Sequence, residues 1–111
     1  MAKASGKPLP TCRLSRIRKR TGRCYELALK GVLQAPEWIL VHGEVRGPEG
    51  QRIGHAWLEG PSSDTVYDTV CDAVCSREAY LTHFAGVELA RYTCKEASAN
   101  VVQQSHYGPW R

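Results

Sequence analysis

Apolar residues recur at helical spacing just after a Thr21-Gly22-Arg23 turn. Tyr25, Ala28, Leu29 and Val32 fall at i, i+3, i+4 and i+7, the single face of an amphipathic helix running from Cys24 to about Leu33. Gln34-Ala35-Pro36 ends it, because the residue before a proline is pushed out of the helical region. The pattern then changes. Trp38–Arg46, Gln51–Glu59 and Thr65–Cys71 are short runs rich in β-branched and aromatic residues, bounded by turn chemistry, and they read as strands. Gly47-Pro48-Glu49-Gly50 and Gly60-Pro61-Ser62-Ser63-Asp64 are short enough to join them as antiparallel hairpins.

Helical signals return at Ser76, which can cap a helix carrying Glu78 in its first turn, running to Ala85 and stopping at Gly86. Tyr80, Leu81 and Phe84 give it an apolar face. Val87–Tyr92 reads as a further strand. Thr93-Cys94-Lys95-Glu96 has the form of a capping box and opens a last helix through about Gln104, with Ala97 and Val101 inward. The expected class is α+β: a Cys-bearing helix packed on an antiparallel sheet of three or four strands, with C-terminal helices.

At 111 residues the chain suits one domain, and its 42% hydrophobic content is ordinary for a globular protein. No apolar run approaches the roughly 18 residues of a membrane span, and the basic start lacks the apolar stretch of a secretory signal. Five cysteines at 12, 24, 71, 75 and 94 form neither a disulfide framework nor a zinc module. The expectation is a cytoplasmic protein. Charge divides the chain further. Residues 1–23 hold eight Lys/Arg and no acid, so residues 1–20 read as a basic, flexible arm and 21–111 as the domain. The basic residues from Lys3 to Arg23 offer a contact to nucleic acid or an acidic partner, although no aromatic is interleaved for base stacking.

Register arithmetic points to chemistry. If Gly47 and Gly50 close the first turn, His55 lies opposite His42. If Gly60 and Ser63 close the second, His55 lies opposite Asp68. Directly opposed residues share a sheet face, so His42, His55 and Asp68 would form one row, conditional on both turns. A carboxylate beside an imidazole fixes its tautomer and leaves the other ring nitrogen to move a proton. Cys24, opening a helix, is the candidate nucleophile: a helix N-terminus and an imidazolium both favour a thiolate, and the Cys24 amide is a candidate oxyanion donor.

The order of these pieces resembles the transglutaminase/papain-like cysteine superfamily. They are a Cys at a helix start, then Gly54-His55-Ala56-Trp57-Leu58-Glu59, then Val66-Tyr67-Asp68, within residues 22–71. The resemblance implies a papain/transglutaminase-like fold with Cys24 as nucleophile, His55 as general base and acid, and Asp68 as its orienter. Trp57 would pack near the site on the substrate side, with His42 a further candidate there. The implied activity is acyl transfer through a Cys24 thioester on a protein or peptide substrate: peptidase, amidase or deamidase with water as acceptor, transglutaminase with an amine. That chemistry calls for no cofactor. Two other readings use the same residues. One is a non-catalytic binding or adaptor protein docking through the basic arm, and the other is a metal site built from His42, His55, Asp68 and Cys24. Each residue also has a structural reading: a buried cysteine, a satisfied core histidine, an aspartate capping the turn after Tyr67.

Overall fold

The computed structural model describes residues 21–62, 64–70 and 73–110. The expectations for residues 1–20 and for Cys71 lie outside the described residues.

Helix α1 spans Thr21–Gln34 and buries Tyr25, Ala28, Leu29 and Val32, the face its spacing predicts, together with Cys24. It begins three residues earlier than expected. It lies against strands β1 (Ile39–Arg46) and β2 (Arg52–Glu59). Strand β3 (Thr65–Asp68) is shorter than predicted and is followed by β4 (Ala73–Ser76), a strand beyond those the sequence predicts. Helix α2 (Arg77–Phe84), strand β5 (Val87–Tyr92) and helix α3 (Cys94–Gln104) complete the chain. The five strands form one antiparallel sheet in the order β4-β3-β2-β1-β5, one strand more than the three or four expected.

Both helix starts called from capping chemistry are present. Ser76 accepts the Ala79 amide at 3.1 Å. Thr93 and Glu96 exchange the two hydrogen bonds of a capping box, at 3.1 and 2.9 Å. The stop of α2 falls on Ala85, in the left-handed region at φ 51°, rather than on Gly86.

The turns differ from the arithmetic, and this positions everything that follows. The Gly47 amide donates to the Gln51 carbonyl at 2.7 Å and the Gly50 amide to the Gly47 carbonyl at 3.1 Å. Gly50 sits at φ 84°, which a glycine adopts without strain. The loop therefore holds three residues, a turn plus a left-handed glycine, instead of two. Pairing moves by one residue: His42 faces Ala56, and His55 faces Gly43. In the second hairpin the Gly60 amide donates to the Thr65 carbonyl at 2.8 Å, so residues 61–64 make a four-residue loop. Pairing there moves by two, to Leu58↔Tyr67 and Glu59↔Val66.

Gly43 has a packing reason. The Trp57 indole lies 2.7 Å from where its Cβ would stand, so only a glycine lets β1 pass over that ring. Beyond the core, Glu59 is fully buried and ion-paired to Arg77 and Arg91, each at 2.8 Å. Glu88 joins both arginines at 3.4 and 3.2 Å, tying β2, α2 and β5 together. No helix among the described residues is long and apolar enough to cross a membrane.

Candidate functional site

Asp68 ends β3. Its Oδ1 accepts the Val70 amide at 2.9 Å, closing a local turn, and this is the capping role a lone aspartate often has. That bond leaves Oδ2 aimed elsewhere. Oδ2 accepts from His55 Nε2 at 2.9 Å and from the Tyr80 hydroxyl at 2.5 Å. All three residues are buried, at 2% exposure or less. The carboxylate is thus held by three donors from three segments: its own turn, β2 and α2.

His55 reaches Asp68 across a parted pair of strands. Among the described residues the β2–β3 ladder comprises only Leu58↔Tyr67 and Glu59↔Val66. Continuing that register sets Asp68 opposite Trp57, on the same face as His55 and one diagonal step away. With Nε2 engaged, the other imidazole nitrogen, Nδ1, is buried without a hydrogen-bond partner. The Cys24 side chain lies near enough to bear on His55 electrostatically. Burial by itself disfavours the imidazolium, but the Asp68 hydrogen bond, with the Asp68 and Cys24 groups beside the ring, outweighs it. The His55 pKa rises to about 9, so the ring is protonated at neutral pH.

Cys24 is fully buried on α1. It stands fourth in the helix, not first. A buried donor stands nearby: the Trp57 indole Nε1–H has no acceptor among the described residues. Its ring centroid lies 6.3 Å from that of His55 and 5.4 Å from that of Tyr80.

His42 does not share the row. The one-residue shift of the first hairpin puts it on the opposite face from His55, because successive strand residues alternate sides. There Tyr25, Tyr92 and Trp110 surround it, with ring centroids at 4.9, 5.1 and 5.0 Å. The C-terminal turn makes this enclosure: Trp110 Nε1 donates to the His106 carbonyl at 2.8 Å, and the Tyr92 hydroxyl to the Trp110 carbonyl at 2.9 Å.

The structure therefore brings together His55, Asp68 and Trp57, with buried Cys24 near enough to influence His55, and it separates His42 from them. It adds Tyr80 and Cys75. The Cys75 thiol is pushed up to about 11, first by burial and then by the Asp68 charge, and stays neutral. Tyr80 was legible only as part of an apolar helix face; nothing in the sequence shows that its hydroxyl meets Asp68. His83 and His106 are exposed. Among the described residues no group of three or more His, Cys, Asp or Glu side chains is arranged to hold a metal ion. No protein-family model matches the chain, and neither does any curated protein or solved structure.

Proposed function

We propose that this protein is a cysteine-dependent acyl-transfer enzyme of the papain/transglutaminase-like type, acting on a carboxamide or peptide bond. One observation carries the reading: a single buried imidazole is bound to Asp68 through Nε2, with buried Cys24 near enough to influence its protonation. Nucleophile, base and orienter are then in series.

In the proposed cycle the Cys24 sulfur attacks the carbonyl carbon, and its proton resides on His55. The tetrahedral oxyanion is taken by the Trp57 indole N–H, a buried donor whose hydrogen bond is otherwise unmade. As the C–N bond breaks, the His55 imidazolium gives its proton to the departing amine. The remaining thioester is attacked by water, whose proton His55 accepts, or by an amine. Collapse breaks the C–S bond and restores the thiol pair. Water makes the enzyme a peptidase, amidase or deamidase; an amine makes it a transglutaminase. A reducing compartment such as the cytoplasm keeps Cys24 in its working form. Cys75 and Cys94 are free thiols in the fold.

The deciding experiment is alkylation by iodoacetamide followed residue by residue through peptide mapping, in wild type and His55→Ala. The expected outcome is rapid modification of Cys24 below pH 7, lost in the variant. Equal, slow reaction in both proteins removes the enzyme reading.

A second reading is favoured by one observation, the complete burial of Cys24 and His55. In it the buried network only stabilises the fold, and the protein binds nucleic acid or an acidic partner through its basic residues 3–23. Removing residues 1–20 separates the two. A small-substrate activity survives the deletion, whereas an electrostatic complex loses its affinity and its salt dependence.

A further inference from the structure

Asp68 Oδ2 is shared. His55 Nε2 lies at 2.9 Å and the Tyr80 hydroxyl at 2.5 Å from the same oxygen, while Oδ1 is taken by the Val70 amide. Tyr80 is itself held on both sides. Its ring packs on Trp57 at 5.4 Å and on Phe84 at 5.0 Å, and α2 is anchored through its Ser76 cap. The hydroxyl is therefore delivered by a fixed ring.

We infer that Tyr80 is a positioning residue of the Cys24–His55–Asp68 site, dividing the charge of Asp68 with His55 and so setting how readily His55 releases its proton. This rests on the acyl-transfer reading for its purpose, but not for its chemistry. A carboxylate with one donor on Oδ2 binds the imidazolium as tightly as burial allows. When the imidazolium loses its proton, that carboxylate is left in a dry site without a cation. A second, neutral donor stabilises the carboxylate after the proton has gone. Tyr80 thereby lowers the proton affinity of the His55–Asp68 pair and makes His55 a better acid toward a leaving amine.

Among the described residues the titratable groups that bear on the pair are Cys24 from α1, Cys75 from β4 and Tyr80 from α2. Burial, then Asp68, hold the Tyr80 hydroxyl well above its ordinary range, and burial does the same for the Cys75 thiol. Both stay protonated wherever His55 titrates, so the hydroxyl is a constant donor and not a competing acid.

The test is Tyr80→Phe, which keeps the ring that packs on Trp57 and Phe84. The His55 ring protons are followed by NMR against pH in protein carrying labelled histidine, with resonances assigned by His→Gln variants. The expected result is an upward shift of the His55 midpoint by about half a pH unit or more. An unchanged or lower midpoint in a folded variant overturns the inference. Should Tyr80→Phe fail to fold, 3-fluorotyrosine placed at position 80 gives the opposite test. The fluorinated phenol is a stronger donor and must lower the midpoint, and no shift overturns the inference. The alkylation experiment on Cys24 is independent: slow Cys24 with a shifted His55 midpoint rejects the enzyme reading and leaves the charge sharing intact.

Discussion

His55 and Asp68 are hydrogen-bonded at 2.9 Å although they are not cross-strand partners. The ladder between β2 and β3 pairs Leu58 with Tyr67 and Glu59 with Val66, so position 68 falls opposite 57. The contact survives as a diagonal because a displacement of two residues leaves both side chains on one face. Several consequences can be measured.

Stability should depend on pH through this pair. The folded pKa of His55 is raised to about 9 from an ordinary 6.5. A raised imidazole stabilises the fold fully below the unfolded pKa and loses that contribution as pH rises through the folded one. Denaturant titrations between pH 6 and 10 should show wild type losing up to about 3 kcal/mol across roughly pH 6.5 to 9. His55→Gln should lose none of it, and parallel curves for the two proteins would dismiss the ion pair.

Asp68→Asn keeps the shape of the carboxylate and removes its charge. The imidazolium then faces burial with its main partner gone, so the His55 midpoint should fall below its ordinary value. Alkylation of Cys24 at pH 6 should slow by about tenfold or more, since each pH unit of lost protonation is worth about a factor of ten. Unaltered alkylation would place Cys24 outside the influence of this pair.

Trp57→Phe separates nucleophile from oxyanion. Iodoacetamide reacts by displacement at carbon and develops no oxyanion, so Cys24 alkylation should be unchanged. Hydrolysis of an activated acyl substrate should fall by about 10²–10³ in kcat, the usual cost of one such donor. An equal fall in both reactions would mean that the indole only supports packing.

Glu59 offers a purely structural test. Replacing both Arg77 and Arg91 with methionine leaves a wholly buried carboxylate without a cation, at a cost of about 3–5 kcal/mol in urea denaturation. Glu59→Gln should cost less, about 1–2 kcal/mol, because the arginine side chains are 35% and 41% exposed and can turn to water.

What the chain alone determined is its local physics. The apolar stripe of Tyr25, Ala28, Leu29 and Val32, the β-branched and aromatic strands on either side of Gly50, and the caps at Ser76 and Thr93 depend on neighbours a few residues away. All of them are present in the fold. So is the juxtaposition of His55 with Asp68, although by a different register. Strand β4 was illegible because its four residues, Ala-Val-Cys-Ser, are too few to set a period, and Val74 points outward. The Tyr80 hydroxyl and the Glu59 cluster were illegible because their partners come from other elements.

Turn length was the quantity only the tertiary structure decided. One extra residue at Gly47–Gln51 is an odd shift, which carried His42 to the far face and into the enclosure of Tyr25, Tyr92 and Trp110. Two extra residues at Gly60–Thr65 are an even shift, which kept Asp68 beside His55. A strand alternates its side chains with period two, so the parity of each loop, set by how the whole sheet packs, chose which residues could meet.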